Sequence, residues 1–116
     1  MMIGVDLIEI DRVERALARY PGFKDRCFTK AEQAYCDSRA NPAQHYAARF
    51  AAKEAAKKAL DLEGVGWRDL EVARSPSGAC HLVLHGAARV AAGTMSFALS
   101  MSHEGDHATA VVIAHD

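Results

Sequence analysis

Cysteine is scarce in this chain of 116 residues: Cys27, Cys36 and Cys80 make an odd count with no CxxC spacing. That pattern suggests neither a disulfide framework nor a zinc knuckle, so stability has to come from apolar packing. An excess of either charge is also missing, since 14 Lys and Arg stand against 15 Asp and Glu for a net charge of −1. General nucleic-acid binding normally shows a basic excess and is not expected here, although a local basic patch is compatible with the sum. No apolar run reaches signal-peptide or membrane-spanning length, and no repeat, linker or low-complexity stretch divides the chain. A single domain over residues 1–116 in the reducing cytoplasm, without a membrane partner, is the expectation. With 50% hydrophobic residues there is material for a core, and a chain of this length can bury roughly two thirds of its unfolded surface.

Periodicity places the elements. Ile3, Val5 and Leu7 alternate as one strand face and put Asp6 on the other, beside Gly4 and Ile8. Asp11 with Glu14 reads as a capping box for a helix whose inner stripe is Val13, Ala16, Leu17 and Tyr20, stopped by Pro21-Gly22. Thr29 and Glu32 repeat the signal for a short helix carrying Ala31, Ala34 and Tyr35. Asn41-Pro42 opens a long central helix running to about Leu60. Leu70 and Val72, a turn at Ser75-Pro76-Ser77-Gly78, and His81 to Leu84 form a β-hairpin. A short helix over 87–92 ends at Gly93, and strands follow over 96–102 and 107–114. The class is α+β, with one long central helix packed on a small, mainly antiparallel sheet.

Charge on the central helix, in Arg49 to Leu60 (RFAAKEAAKKAL), is unusually placed. At about 100° per residue, Ala47, Ala48, Ala51, Ala52, Ala55 and Ala59 cover a little over half of the wheel, and Arg49, Lys53, Glu54, Lys57 and Lys58 occupy the rest. Tyr46 and Phe50 fall among those charges, so the charged side is expected to be covered, which makes it a candidate site. Asp6, flanked by Val5 and Leu7, needs a partner or a cation. The ordinary alternatives are a salt bridge for Asp6 and an i,i+4 pair between Glu54 and Lys58.

Together, GVDLIEI and RFAAKEAAKKAL resemble the holo-acyl-carrier-protein synthase family of 4′-phosphopantetheinyl transferases. Gly64-Val65-Gly66, Asp69 to Val72, Ser100 to His103 and the closing alternation of Ala108, Ala110 and Val112 follow in the family's order. The resemblance implies transfer of the phosphopantetheine arm of coenzyme A to a serine of an apo-acyl carrier protein, releasing adenosine 3′,5′-bisphosphate. It further implies that Asp6 and Glu54 hold Mg²⁺, that Lys58 meets the phosphates, and that Arg49 and His103 line the coenzyme A site. These chemistries are consistent: hard carboxylates suit Mg²⁺, which neutralises crowded phosphate charge. The proton acceptor stays open between Glu54 and a water ordered by Asp6. Lys53 and Lys57 are read as solvated charge or secondary phosphate contacts. The family's hairpin turn runs close to Asn-Gly-Lys-Pro, where this chain has Ser77-Gly78-Ala79-Cys80; Gly78 is kept near the nucleotide. Ala56 replaces a bulky residue, so looser packing is expected, and Asp61 stands where glycine commonly ends the helix.

Short members of the family imply a homotrimer in which one subunit gives Asp6 and Glu54 and the next completes the coenzyme A pocket. Arg12 matches a basic position used for carrier docking, and Arg15 and Arg19 share its helix face. The pathway, fatty-acid synthesis or a specialised one, stays open. Two other readings are a non-catalytic coenzyme A-binding module and a zinc peptidase. The latter rests on His103-Glu104-Gly105-Asp106-His107, a literal HExxH that requires a helix, whereas Gly105 and the flanking alternation indicate a turn.

Overall fold

A computed structural model describes every residue from Met1 to Asp116. In chain order it contains β1 (Met2–Glu9), α1 (Ile10–Arg19), α2 (Phe23–Cys27), α3 (Lys30–Asp37), α4 (Pro42–Leu60), a 3-10 turn at Trp67–Asp69, β2 (Leu70–Arg74), β3 (Cys80–Leu84), α5 (Gly86–Ala92), β4 (Ser96–Glu104) and β5 (His107–His115). The α+β class holds, but the strands divide into two antiparallel sheets, ordered β1-β5-β4 and β2-β3. No helix is long and apolar enough to cross a membrane.

Helix α4 has the bounds that its sequence signals. Pro42 occupies the first turn, where a missing N–H is harmless, although Asn41 makes no side-chain cap bond. At the other end Asp61 adopts φ 51°, and its N–H bonds to the Lys57 carbonyl, so an aspartate fills the left-handed position that glycine usually takes. Ala51, Ala55 and Ala59 bury with Ala110 and Val112 in one cluster. Gly4 permits the close approach, because a Cβ there would overlap the Ala55 carbonyl oxygen and lie 2.9 Å from the Ala59 nitrogen. Ala56 is fully buried beside this packing, so the looseness expected there does not appear as exposure.

The strand register decides what each face of the three-stranded sheet meets. Gly4, Asp6 and Ile8 are paired with Val112, Ala110 and Ala108, which in turn pair with Leu99, Met101 and His103. Paired residues share a face, so this is the side against α4. On the other side Ile3, Val5 and Leu7 are 66%, 56% and 67% exposed, and nothing in the chain covers them.

Local differences from the sequence expectations have identifiable causes. Helix α1 begins at Ile10 with Glu9 as an unbonded cap, so the Asp11–Glu14 box does not form; Asp11 instead sits in the first turn, where a carboxylate suits the helix dipole. Of its expected inner stripe Val13 is buried, whereas Tyr20 is exposed beyond the helix end. Helix α2 spans five residues, too few for periodicity to register. In α3 the Thr29–Glu32 capping box forms with both reciprocal bonds, yet Glu32, Gln33 and Cys36 face inward while Ala31 and Ala34 are exposed. The rotation follows from Glu32, which α4 draws into the core through Lys53.

Candidate active site

One flank of α4 borders β1 and carries the first group of candidate residues. Lys58 Nζ donates to Asp6 Oδ1 at 3.1 Å and to the Val5 carbonyl at 3.1 Å. Lys58 thus reaches across to the strand instead of pairing with Glu54 one turn earlier. Glu54 lies half-buried on the same flank, and its carboxylate has no ion-pair partner within the chain. The Asp6 side chain is 17% exposed and that of Lys58 is 54% exposed, so the pair is open on one side. Two carboxylates with one cation on their rim suit a divalent metal that takes its other ligands from water and substrate oxygens.

Arg49 belongs to the opposite flank. It lies about 140° from Glu54 and about 180° from Lys58 around the helix. His103, on β4, sits at the other edge of the sheet from Asp6, two strand spacings across and two residues further along, roughly 12 Å away. Arg49 is buried, donates from Nη1 to the His45 carbonyl at 3.3 Å, and stacks 4.5 Å over the Tyr35 ring; its Nε is buried with no partner. Arg74 covers the same ring at 4.7 Å and donates to the Tyr35 hydroxyl at 2.6 Å. The His45 ring lies 6.3 Å from that of His103. Gly78, at φ 92°, closes over Arg74, whose Nη2 would be 3.2 Å from a Cβ there. Two adjoining cavities of about 270 and 130 Å³ share Tyr35, Arg49 and Arg74 in their walls.

The structure therefore brings Asp6 and Lys58 into contact with Glu54 one turn away on the same flank, and Arg49, His103 and Gly78 around a second place. Tyr35, Arg74 and His45 are additions that sequence reasoning missed. His45 carried a legible signal, since it precedes Arg49 by one helical turn and so shares its flank. Burial first, and then the positive charge of Arg49, Arg39, His103 and Arg74, hold the His45 imidazole below its usual pKa.

The remaining charges of α4 are covered, as its wheel requires, but not solvated as expected. Lys53 is completely buried and donates to Glu32 Oε1 at 2.8 Å, the Leu70 carbonyl at 2.8 Å and the Trp67 carbonyl at 3.1 Å. Its role is to join α3, α4 and β2, and it has no open path to a substrate. Lys57 lies 3.7 Å above the Trp67 ring, a cation–π contact.

The HExxH segment is a turn. His103 and Glu104 end β4, Gly105 and Asp106 turn the chain, and His107 opens β5 opposite Glu104. The two histidines have strand geometry, and no cluster of three or more metal-ligating side chains exists anywhere in the chain, so the zinc peptidase reading fails. Arg12, Arg15 and Arg19 are exposed and line a groove of about 300 Å³ with Ala16 and Tyr20.

Comparison with known proteins shows the family and the fold. The family model described as the 4′-phosphopantetheinyl transferase superfamily matches residues 2–112. The holo-[acyl-carrier-protein] synthase of Anaeromyxobacter dehalogenans strain 2CP-C is 49% identical over 119 residues, covering 96% of this chain and 92% of that protein. Among solved structures, the ACPS–CoA complex of Chronobacterium ammoniagenes superposes with a TM-score of 0.88 at 29% identity, over 98% of this chain and 96% of the other. The Helicobacter pylori holo-[acyl-carrier-protein] synthase in complex with coenzyme A gives 0.85 at 29% identity, over 97% and 99%. By the match along nearly its whole length, the chain belongs to the holo-[acyl-carrier-protein] synthase family within the 4′-phosphopantetheinyl transferase superfamily.

Proposed function

We propose that this enzyme transfers 4′-phosphopantetheine from coenzyme A to a serine hydroxyl of an apo-acyl carrier protein in the cytoplasm, with Mg²⁺, releasing adenosine 3′,5′-bisphosphate. The observation that carries this reading is the pairing of Asp6 with Lys58 beside the unpaired carboxylate of Glu54. These residues fit Mg²⁺: both donors are hard oxygens, and the Lys58 ammonium already marks Asp6 Oδ1 as a cation position. When bound, the metal would supply charge neutralisation at the pyrophosphate. Asp6 and Glu54 would hold it. The serine oxygen forms a bond to the β-phosphorus while the bond to the bisphosphate breaks, and the serine proton passes to Glu54 or to a water held by Asp6. Lys58 would share charge on the departing oxygens. Arg49 and His103 would hold phosphate at the other flank. Incubation with coenzyme A, Mg²⁺ and apo-carrier should add the phosphopantetheine mass to the carrier. A binding module without catalysis would leave that mass unchanged.

The assembly we propose is a homotrimer with sites between subunits. Two features support it: the two groups of site residues lie on opposite flanks of α4, and Ile3, Val5 and Leu7 form an apolar face that nothing in the chain covers. Such a face normally marks an interface. Val5→Asp should place a charge in that interface and shift the light-scattering mass from trimer to monomer, with transfer falling in parallel. A wild-type protein of monomeric mass and full activity would rule the assembly out.

For the carrier we propose docking on Arg12, Arg15 and Arg19, because the modified serine of such carriers neighbours acidic surface. Exposed charge pairs act mainly on association and are screened beyond about 8 Å at physiological salt. Arg12→Glu should raise the KM for carrier several-fold, leave that for coenzyme A unchanged, and lose much of its effect at high salt. A defect that ignored salt would assign Arg12 to the fold instead.

A further inference from the structure

Lys58 is fastened to β1 at two points. Its ammonium donates to Asp6 Oδ1 and to the Val5 carbonyl, each at 3.1 Å. A nearer acid on its own helix is passed over. Glu54 stands four residues before Lys58, the favourable order for a helical ion pair, yet Lys58 reaches Asp6 instead. The neighbouring lysines of α4 are held elsewhere, Lys53 by Glu32 and Lys57 over the Trp67 ring. Of the two candidate metal carboxylates, one is therefore engaged by an internal cation and the other is free.

We propose that Lys58 is an internal substitute for the divalent cation at Asp6, released to the phosphates of the nucleotide donor, so that metal and donor bind synergistically; the proposal rests on the transferase reading above. The Asp6 side chain is 17% exposed, and a carboxylate so far withdrawn from water needs a positive partner. The Lys58 side chain is 54% exposed, so its ammonium keeps access to water when it leaves. A flexible four-carbon stem gives it the freedom to move, and a half-solvated ion pair is weak enough to exchange.

Charge makes the exchange conditional. Asp6, Glu54 and Lys58 sum to −1. A dication entering beside Lys58 turns that sum to +1, with ammonium and metal competing for one oxygen. Metal alone is thus opposed by a like charge. The donor's pyrophosphate reverses the balance and offers the ammonium strong acceptors. Each ligand then removes what hinders the other, and linkage makes the effect reciprocal. A lysine that served phosphate alone would leave the affinity for free metal untouched, whereas this one lowers it.

Titration with Mn²⁺, counting the free ion by magnetic resonance with and without coenzyme A, tests the exchange without requiring turnover. Lys58→Met should tighten Mn²⁺ binding to the donor-free protein about three- to fivefold, the scale of one half-solvated ion pair. Lys58→Gln, the second neutral variant, should do the same, and Lys58→Arg, which keeps the charge, should not. Saturating coenzyme A, with the ion it binds by itself subtracted, should tighten Mn²⁺ more in the wild-type protein than in Lys58→Met, by about that factor. Unchanged or weaker Mn²⁺ binding in the donor-free neutral variants would overturn the proposal. So would an arginine variant as tight as the methionine one, or equal tightening by coenzyme A in wild type and Lys58→Met. The transferase reading fails separately: a protein that shows this synergy yet moves no phosphopantetheine keeps the exchange and loses the reaction.

Discussion

Asp6→Ala and Glu54→Ala are each expected to lower kcat/KM for transfer by about a hundred- to a thousandfold or more, the scale on which preorganised charge stabilisation acts. The fold should survive both. Asp6 loses an ion pair whose Lys58 partner is 54% exposed, and such half-solvated pairs contribute about 0–1 kcal/mol. Lys58 also keeps its bond to the Val5 carbonyl. Glu54 has no ion-pair partner to lose, so its removal should leave the melting temperature unchanged or slightly raised, as is common where a carboxylate is kept for function. Glu54→Gln keeps shape and removes charge, and a fall as deep as that of the alanine variant would identify charge as the working property. Binding of Mn²⁺ in the presence of coenzyme A, followed by magnetic resonance, gives a readout apart from turnover and should weaken in both alanine variants. Near-wild-type turnover of either one at limiting Mg²⁺ would remove that residue from the ligand set.

Much of the site was legible because it is written in helical spacing. Glu54 and Lys58 share a flank by being one turn apart, and the placement of Asp6 against them follows from strand alternation once Gly4 is known to touch α4. The bounds of α4 were equally legible, since Pro42 and the residues after Leu60 act locally. What stayed hidden depends on contacts between distant segments. Lys58 had two acids in reach, and only the packing of β1 on α4 selects Asp6. Tyr35 and Arg74 lie 39 residues apart and share a cavity only because the β2–β3 hairpin folds beside α3. Glu32 was read as half of a capping box, which it is, but the same carboxylate also serves Lys53 and the Val72 N–H. A wheel shows that a charge is covered and cannot show by what.

Lys53→Met is expected to cost about 3–5 kcal/mol, the range for breaking a buried ion pair by removing one partner. The Lys53 ammonium has three N–H donors and meets three acceptors: Glu32 Oε1, the Leu70 carbonyl and the Trp67 carbonyl. Methionine fills much of the space, so the loss is not mainly a cavity; it is the stranding of a carboxylate and two carbonyl oxygens away from water. Burial holds the Lys53 pKa below its usual value, with Glu32 opposing the shift. Between the folded and unfolded values the folded chain binds fewer protons, so this group makes stability rise with pH in an alkaline window ending near 10.5. That slope should vanish in Lys53→Met. Glu32→Gln on the methionine background removes the stranded charge while keeping an oxygen for the Thr29 or Val72 N–H, and it should restore part of the loss; the double-mutant cycle measures the coupling. Urea midpoints have to be compared at one protein concentration, because subunit assembly adds to apparent stability. A cost below about 1 kcal/mol, or a double mutant no more stable than Lys53→Met alone, would show that the pair does not hold α3 and β2 against the central helix.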